Sequence, residues 1–356
     1  MILEKISQFC IQRVWNLYQS CVLILQKKEN IQNALLLVAA LISGLAAVMY
    51  AKLFKYSERF VFDLLVGKEE YIFLTTPILF LGAWWVVHKY SPEASGSGIP
   101  QVLLSNELDD DGIHKKHIGR FLSFRVIIVK TVSSILCVLG GGAIGREGPT
   151  IQISASIFYL FGEKMKRYLA ESKSHIWIIS GASAGLAAAF NTPLGGIIYA
   201  IEELGATHFS RIRTILLTAI ITSGLVSLWL SGNYLYLGFP VIQFEGLSII
   251  PMALLVGIVS GLAGGVFSTL LFKLSSARRK IKSASKLAMI ATGCGLIMAA
   301  LIYFDQKAAS SGVEMLNEFL FHGESASATF VLLRFFGPIV SYLCGSAGGI
   351  FSPSLA

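Results

Sequence analysis

The stretch Gly-Arg-Glu-Gly-Pro-Thr-Ile-Gln-Ile, residues 145–153, places the ionisable pair Arg146 and Glu147 between glycines and a proline, with apolar sequence on both sides. Glycine lets a backbone turn tightly and approach a ligand. Proline fits the first turn of a helix, where an N–H group has no intrahelical partner. The stretch therefore predicts a helix that begins inside apolar sequence and carries a carboxylate at its start.

The composition is that of a membrane protein. Of the 356 residues, 54% are hydrophobic and only 14% are charged, and the mean hydropathy of +0.68 is too high for a soluble domain of this size. Apolar segments of about 17 to 25 residues can cross a bilayer, and such segments begin near Asn33, Tyr71, Phe121, Ile151, Ile212, Ile249, Leu287 and Thr329. We expect an all-α, polytopic membrane protein.

Two further apolar pieces are too short to span a membrane upright. They run from His175 to Phe190 and from Thr192 to Leu204. Short apolar helices of this kind are tolerated inside a membrane where they are tilted, broken or re-entrant and packed within the protein. We therefore expect interrupted helices in this region.

Residues 1–30 predict a cytoplasmic amphipathic helix on the membrane surface. Its apolar positions are Ile2, Ile6, Phe9, Trp15 and Leu17. Charged and polar residues interrupt any apolar core, so the segment does not resemble a cleavable signal peptide. A soluble helix packed against the body of the protein is the alternative.

Basic residues indicate the orientation of membrane segments because they are enriched in cytoplasmic loops. The formal net charge is +8, and the basic clusters fall at residues 27–28, 115–120, 164–173, 211–213 and 278–282. All of them can lie in the cytoplasm if the chain crosses in pairs between them, and the stretch 231–248, without Lys or Arg, then lies outside. In this scheme Glu147 approaches the membrane interior from outside, and Glu203 lies toward the cytoplasm.

The sequence contains an internal repeat. Two pairs of stretches match: Ile42–Ala46 with Val259–Ala263, and Gly145–Thr150 with Gly349–Ser354. Such a repeat is typical of transporters with inverted-topology halves, which place their site between the halves. The repeats are predicted over 31–232 and 249–356. We expect the second repeat to be incomplete, with a C-terminal portion missing from it, and we expect no cytosolic regulatory domain.

Three stretches share a pattern of glycine, then proline, then apolar helix: Gly96–Pro100, Gly145–Pro149 and Gly349–Pro353. Each predicts the N-terminus of a helix. Unpaired N–H groups and the positive end of the helix dipole make such a terminus attractive to anions. Ordinary helix capping explains any single stretch, but three in one apolar chain, one of them bearing a glutamate, favour an anion site.

Other classes of protein are disfavoured. The five cysteines have no CxxC spacing and the six histidines have no ligand spacing, so neither a metal site nor a cofactor is predicted. The sequence has no HExxH or P-loop motif, which disfavours an enzyme. The basic residues are dispersed among membrane loops, which disfavours a nucleic-acid partner.

The stretches GSGIP, GREGP and GIFSP, with FNTPLGGIIYAIEE at Phe190–Glu203, resemble the CLC family of chloride channels and chloride/proton antiporters. The resemblance covers nearly the whole chain. It implies a chloride/proton antiporter in a bacterial inner membrane, a homodimer with a separate anion path in each subunit. Its partners would be chloride, protons and membrane lipid, and its N-terminus would be cytoplasmic. The alternative is an uncoupled chloride channel gated by voltage or pH.

The resemblance also implies roles for individual residues. The anion is expected at Ser97, Gly98, Gly148, Ile350 and Phe351. Glu147 matches the gating glutamate of the family, whose ionised carboxylate competes with chloride and swings away when protonated. Glu203 matches the internal proton-transfer glutamate of the antiporters. The structural alternatives are a Glu147 braced by Arg146, and a solvated pair of Glu202 and Glu203 at a helix end.

The sequence departs from the family pattern in three respects. The family's later tyrosine, whose hydroxyl reaches the central anion, is expected beyond Ala356 and has no predicted counterpart. The closing helices of the family's dimer interface are also expected beyond Ala356. The run LGATHFSRIR after Glu203 lacks the Pro-Arg-Phe commonly found there.

Overall fold

The computed structural model describes residues 2–65, 69–110, 117–166, 174–204, 209–232, 236, 238–239, 246–322 and 326–356. Within these ranges the α-helices, in chain order, are α1 (Ile2–Leu65), α2 (Ile72–Tyr90), α3 (Ile99–Asp110), α4 (Ile118–Phe121), α5 (Phe124–Leu139), α6 (Glu147–Lys166), α7 (Ser174–Phe190), α8 (Pro193–Tyr199), α9 (Phe209–Ser231), α10 (Ile249–Arg279), α11 (Ala284–Phe304), α12 (Val313–His322), α13 (Ala328–Leu343) and α14 (Phe351–Leu355).

The architecture confirms the all-α prediction. The described residues form no β-strand, only two isolated backbone bridges. Five described stretches are helices long and apolar enough to cross a membrane: Asn30–Val61, Ile72–Tyr90, Ile118–Leu139, Ile249–Arg279 and Ala284–Phe304. The protein is therefore a multi-pass helical chain.

Three of the eight predicted spans form helices outside that set, namely α6, α9 and α13. The helix α6 is less apolar because it begins with Glu147 and has three more charged residues near its end. The described apolar part of α9 and the whole of α13 are 10–17 residues long. These helices are too short or too polar to meet the criterion that length and hydropathy set for an upright span.

The two short apolar pieces form α7 and α8, which are separated by a sharp turn. Asn191 has a left-handed backbone conformation with φ 56°, which asparagine adopts more readily than most residues. Thr192 caps α8 because its hydroxyl accepts a hydrogen bond from the Gly195 amide at 3.2 Å, and Pro193 begins the helix. The prediction of interrupted helices in this region is confirmed.

The first helix, α1, runs without interruption from Ile2 to Leu65, so the backbone stays helical across residue 30. The predicted boundary between an N-terminal segment and the first span is therefore not marked by a helix end. The side chains of residues 2–29 lie outside the described part of the chain. The placement of residues 1–30 on the membrane surface stays a prediction.

The centre of the protein is built from α6 and α7, whose side chains are buried along most of their length. Small residues let two helices approach closely. A Cβ atom added to Gly181 on α7 would stand 2.7 Å from the Phe158 Cβ and 2.8 Å from the Ala155 Cα on α6. This packing fixes the position of α6, and with it the position of Glu147 at the first residue of that helix.

The change Gly181→Ala should destabilise the protein, although alanine favours a helix over glycine by about 1 kcal/mol. The added methyl group would overlap α6, and overpacking of this kind costs about 1–3 kcal/mol. Gly261→Ala on α10 is the matched control because nothing described lies within 4 Å of its Cβ position. Thermal unfolding in detergent should give a lower transition temperature for Gly181→Ala, and equal temperatures for the two variants would contradict the close packing.

One pair of equivalent residues from the two copies of the predicted repeat is joined by backbone hydrogen bonds. Gly145 and Gly349, which hold the same position in the two copies, form an antiparallel bridge. Each amide donates to the carbonyl of the other residue, and both N···O distances are 2.7 Å. A reciprocal pairing of equivalent residues is what a two-fold relation between inverted halves produces. The other matching pair of sequences lies on α1 and α10.

Candidate anion-binding site

The three glycine and proline stretches begin helices, as predicted. α3 begins at Ile99, α6 begins at Glu147 and α14 begins at Phe351. The proline of each stretch falls in the first turn of its helix. The N–H groups of a first turn have no intrahelical acceptor, and the positive end of the helix dipole lies there.

Backbone hydrogen bonds hold the three helix starts together. The Gly96 amide donates to the Ser346 carbonyl at 2.8 Å, and the Gly348 amide donates to the Gly96 carbonyl at 3.1 Å. The reciprocal glycine bridge between the two repeats joins the other two starts. The term "glycine loops" refers below to residues 96–98, 145–148 and 346–350.

Ser97 lies against the start of α6. A Cβ atom on Gly148 would collide with the Ser97 hydroxyl and would stand 2.8 Å from the Ser97 carbonyl oxygen. A Cβ atom on Gly349 would stand 3.3 Å from the Gly148 amide nitrogen. The predicted anion residues Ser97 and Gly148 are thus brought together with the loop that precedes α14.

Gly98 has φ 102°, in the left-handed region that favours glycine. A Cβ atom there would stand 2.6 Å from the Gln152 Oε1 and 2.7 Å from the Lys130 Nζ. Lys130, on α5, is fully buried, and its ammonium group donates a hydrogen bond to the Gly96 carbonyl at 3.0 Å. Lys130 is absent from the predicted site, although an ionisable residue inside an apolar segment is itself a signal of function.

The Glu147 carboxylate is buried at the start of α6, and the residue is 2% exposed. Its Oε1 accepts hydrogen bonds from the Ser352 hydroxyl at 2.5 Å and from the Tyr236 hydroxyl at 2.6 Å. The two hydroxyl oxygens are 2.7 Å apart. The other carboxylate oxygen, Oε2, is buried and has no hydrogen-bond partner in the described part of the chain.

The Arg146 side chain makes its hydrogen bond to α1. Its Nη1 donates a hydrogen bond to the Ala51 carbonyl on α1 at 3.2 Å. Among the described residues, no ion pair joins Arg146 to Glu147. The geometry therefore does not support the alternative in which Arg146 braces Glu147.

Tyr236 and Ser352 are also absent from the predicted site. Ser352 lies within the stretch Gly349–Pro353, so its place near the anion follows from the motif that contains it. Tyr236 lies in the connection after α9, 89 positions from Glu147. No local pattern marks it, and only the path of the chain brings its hydroxyl to the carboxylate.

Ile350 lies directly before α14 and Phe351 begins it. The Phe351 ring packs edge-on against Phe190, with ring centroids 5.1 Å apart. Phe190 in turn packs against Tyr236, with ring centroids 5.1 Å apart. Both predicted residues therefore lie at the glycine loops, where their backbone amides belong to a helix start.

Two cavities reach this region. The larger has a volume of about 820 Å³, and we refer to it as the Glu147 vestibule; its walls include Lys52, Arg146, Glu147, Ser231 and Tyr236. The smaller has a volume of about 400 Å³, and we refer to it as the Arg278 vestibule; its walls include Ser95, Gly96, Arg278, Arg279 and Tyr342. The glycine loops are therefore accessible from two separate cavities.

Glu203 lies in a π-helical turn, Ala200–Leu204, that continues α8. The side chain of Glu203 lies outside the described part of the chain, whereas Glu202 is exposed. No contact of Glu203 with the glycine loops is described. Its proton-transfer role stays a prediction.

These features define a class of protein: a multi-pass helical membrane protein in which interrupted helices from two repeats converge on a buried carboxylate. The family model for the voltage gated chloride channel matches residues 78–356. The chain belongs to this voltage gated chloride channel family.

Individual relatives agree with that assignment. The H(+)/Cl(-) exchange transporter ClcA of Salmonella arizonae is 28% identical over an alignment that covers 93% of this chain and 72% of the relative. A slow cyanobacterial Cl-/H+ antiporter has the same fold, with a TM-score of 0.72 and 24% identity over 90% of this chain and 75% of that chain. A CLC-type fluoride/proton antiporter also has a TM-score of 0.72, with 22% identity over 91% of this chain and 78% of that chain.

Proposed function

We propose that the chain exchanges chloride for protons across a membrane. The observation that carries the proposal is the buried Glu147 carboxylate at the start of α6, where the glycine loops meet. The printed name of the Salmonella relative, an H(+)/Cl(-) exchange transporter, supports the same reaction.

The mechanism follows from competition between two anions. An ionised Glu147 carboxylate and a chloride ion are both attracted to the N–H groups and dipole ends at the glycine loops. While Glu147 is ionised, it occupies the path. Protonation removes its charge, so the side chain leaves and chloride takes its place. The Ser97 hydroxyl, Gly98, Gly148 and the backbone amides of Ile350 and Phe351 would hold the ion.

The two vestibules support a direction for this exchange. The Glu147 vestibule is walled by Ser231 and Tyr236, from the stretch without basic residues, and by Lys52, Lys55 and Arg146, which belong to none of the basic clusters that set the orientation. The Arg278 vestibule is walled by Arg278 and Arg279, from a basic cluster. Because basic clusters favour the cytoplasm, we infer that Glu147 takes its proton from outside. Glu203 would pass protons on the cytoplasmic side.

The remaining inferences rest on the family and on the sequence. We place the chain in a bacterial inner membrane with its N-terminus in the cytoplasm, and we infer a homodimer with one anion path in each subunit. The repeats are taken as residues 31–232 and 249–356. We infer that the chain is a transporter and not an enzyme, because the relatives that it matches are named as an exchange transporter and an antiporter.

The change Gly148→Ala should weaken chloride binding on the order of tenfold, a loss comparable to that of a hydrogen bond to a charged group. The added methyl group would collide with the Ser97 hydroxyl and displace it from the start of α6. Calorimetric titration of the detergent-solubilised protein with chloride measures the change. Gly257→Ala, with nothing described within 4 Å of its Cβ position, is the control. Unchanged chloride affinity in Gly148→Ala would remove Ser97 and Gly148 from the site.

The experiment that tests exchange is a flux assay on the purified chain in sealed vesicles. A chloride gradient should drive protons in the opposite direction, recorded as a pH change in a weakly buffered medium. Chloride movement without any proton movement would instead establish the uncoupled channel. Vesicles without protein measure the passive leak of both ions.

A further inference from the structure

The connection after α9 places a hydroxyl group directly on the proposed gating carboxylate. The Tyr236 hydroxyl is 2.6 Å from Glu147 Oε1 and 2.7 Å from the Ser352 hydroxyl. The Ser352 hydroxyl itself donates to the same carboxylate oxygen at 2.5 Å. Hydrogen bonds to an ionised acceptor are shorter and about twice as strong as neutral ones. The three oxygens therefore form a triangle in which both hydroxyls donate to the carboxylate, and these two hydrogen bonds favour the position in which Glu147 fills the path.

The ring of Tyr236 is held independently of its hydroxyl. It packs against Phe190 with ring centroids 5.1 Å apart and an interplanar angle of 50°. Phe190 is supported in turn by Phe351, at 5.1 Å and 88°. A phenylalanine at position 236 would keep this aromatic packing and lose only the hydroxyl. The contribution of the hydroxyl to Glu147 can therefore be separated from the contribution of the ring to the fold.

Tyr236 and Ser352 also remain within hydrogen-bond distance of each other when the Glu147 side chain moves. Tyr236 and Glu147 both line the Glu147 vestibule, yet Glu147 is almost completely buried. When Glu147 leaves the triangle, Tyr236 and Ser352 can still hydrogen-bond to each other, because either hydroxyl can be the donor. The departure of the carboxylate then replaces two hydrogen bonds to a charged group by one neutral hydrogen bond, so release of Glu147 has a cost.

We propose that Tyr236 and Ser352 form a hydroxyl latch that holds Glu147 in the ion path, with Tyr236 as a positioning residue contributed from the vestibule side. The latch rests on the proposed gating role of Glu147. It adds a further step to that role, because the Glu147 carboxylate must break its hydrogen bonds to Tyr236 and Ser352 before chloride can enter. The latch therefore limits the rate of chloride movement.

The test is a double-mutant cycle on chloride efflux from vesicles, with Tyr236→Phe made in the natural chain and in Glu147→Gln. In the natural chain, Tyr236→Phe should raise chloride efflux on the order of tenfold, because it removes a hydrogen bond to a charged group. In Glu147→Gln, which has no ionised carboxylate to hold, the same change should leave efflux unaltered. A residue with a merely structural role would change efflux equally in both backgrounds.

The matched control is Tyr303→Phe on α11, an exposed tyrosine outside the triangle. If Tyr236→Phe does not fold, Ser352→Ala removes the second hydroxyl of the latch and is taken through the same cycle. Unchanged or slower efflux, or an equal change in both backgrounds, would overturn the latch. Proton movement is recorded separately. If the natural chain moves chloride without protons, the exchange proposal is wrong. If coupling is intact but Tyr236→Phe leaves chloride efflux unchanged, only the latch is wrong.

Discussion

Replacing Glu147 by glutamine is expected to abolish chloride-driven proton movement while chloride still crosses the membrane. Glutamine has nearly the same shape as glutamate but can neither ionise nor carry the proton. The path at the glycine loops then no longer holds a competing carboxylate, so chloride passes without a proton in exchange. Parallel recording of chloride and proton fluxes in vesicles measures both effects on the same sample.

The control for this change is Glu318→Gln on α12, which removes an exposed carboxylate paired with Lys307 at 3.6 Å. That variant should keep both fluxes at the level of the natural chain. Proton coupling that survives in Glu147→Gln would remove Glu147 from the mechanism. Loss of both fluxes would show that the carboxylate is needed to keep the path intact.

Replacing Lys130 by methionine is expected to weaken chloride binding by at least about tenfold, which corresponds to about 1.4 kcal/mol. Lys130 is fully buried, and among the described residues it pairs with no carboxylate. A buried charge without a counter-charge is costly, and an anion at the nearby glycine loops would supply that counter-charge. Methionine keeps much of the length of the side chain and removes the charge.

Thermal unfolding at increasing chloride concentrations measures this effect, because a ligand that binds the folded state raises the transition temperature. The natural chain should become more stable as chloride rises, and Lys130→Met should lose most of that rise. Lys280→Met, at an exposed position in the turn after α10, is the control. An equal response to chloride in Lys130→Met and Lys280→Met would contradict the role given to the buried ammonium group.

The helix starts at the glycine loops could be predicted from local sequence alone. Glycine and proline act within a few residues, so the beginnings of α3, α6 and α14 could be predicted from three short stretches. The pairing of Gly145 with Gly349 could be anticipated for a related reason, since equivalent positions of inverted repeats meet near their common axis. The sequence therefore predicted the frame of the candidate site.

Contacts between distant segments could not be predicted in this way. Tyr236 has no motif of its own, and its meeting with Glu147 depends on how the chain returns after α9. Lys130 did carry a signal, since it is a charge within the apolar segment that forms α5, but no local pattern shows that its ammonium group reaches the glycine loops. The joining of the predicted N-terminal helix and the first span into the single helix α1 was not predicted, because no local pattern shows whether a helix continues across residue 30.

The central claim is that the Glu147 carboxylate and the transported anion occupy the same place. Anomalous diffraction from crystals grown in bromide, for the natural chain and for Glu147→Gln, tests this claim most directly. The account predicts bromide at the glycine loops beside Ser97 in both crystals, and an additional bromide in Glu147→Gln at the place that the carboxylate holds beside Tyr236 and Ser352. A Glu147→Gln crystal with bromide beside Ser97 but none at the place of the carboxylate would contradict it.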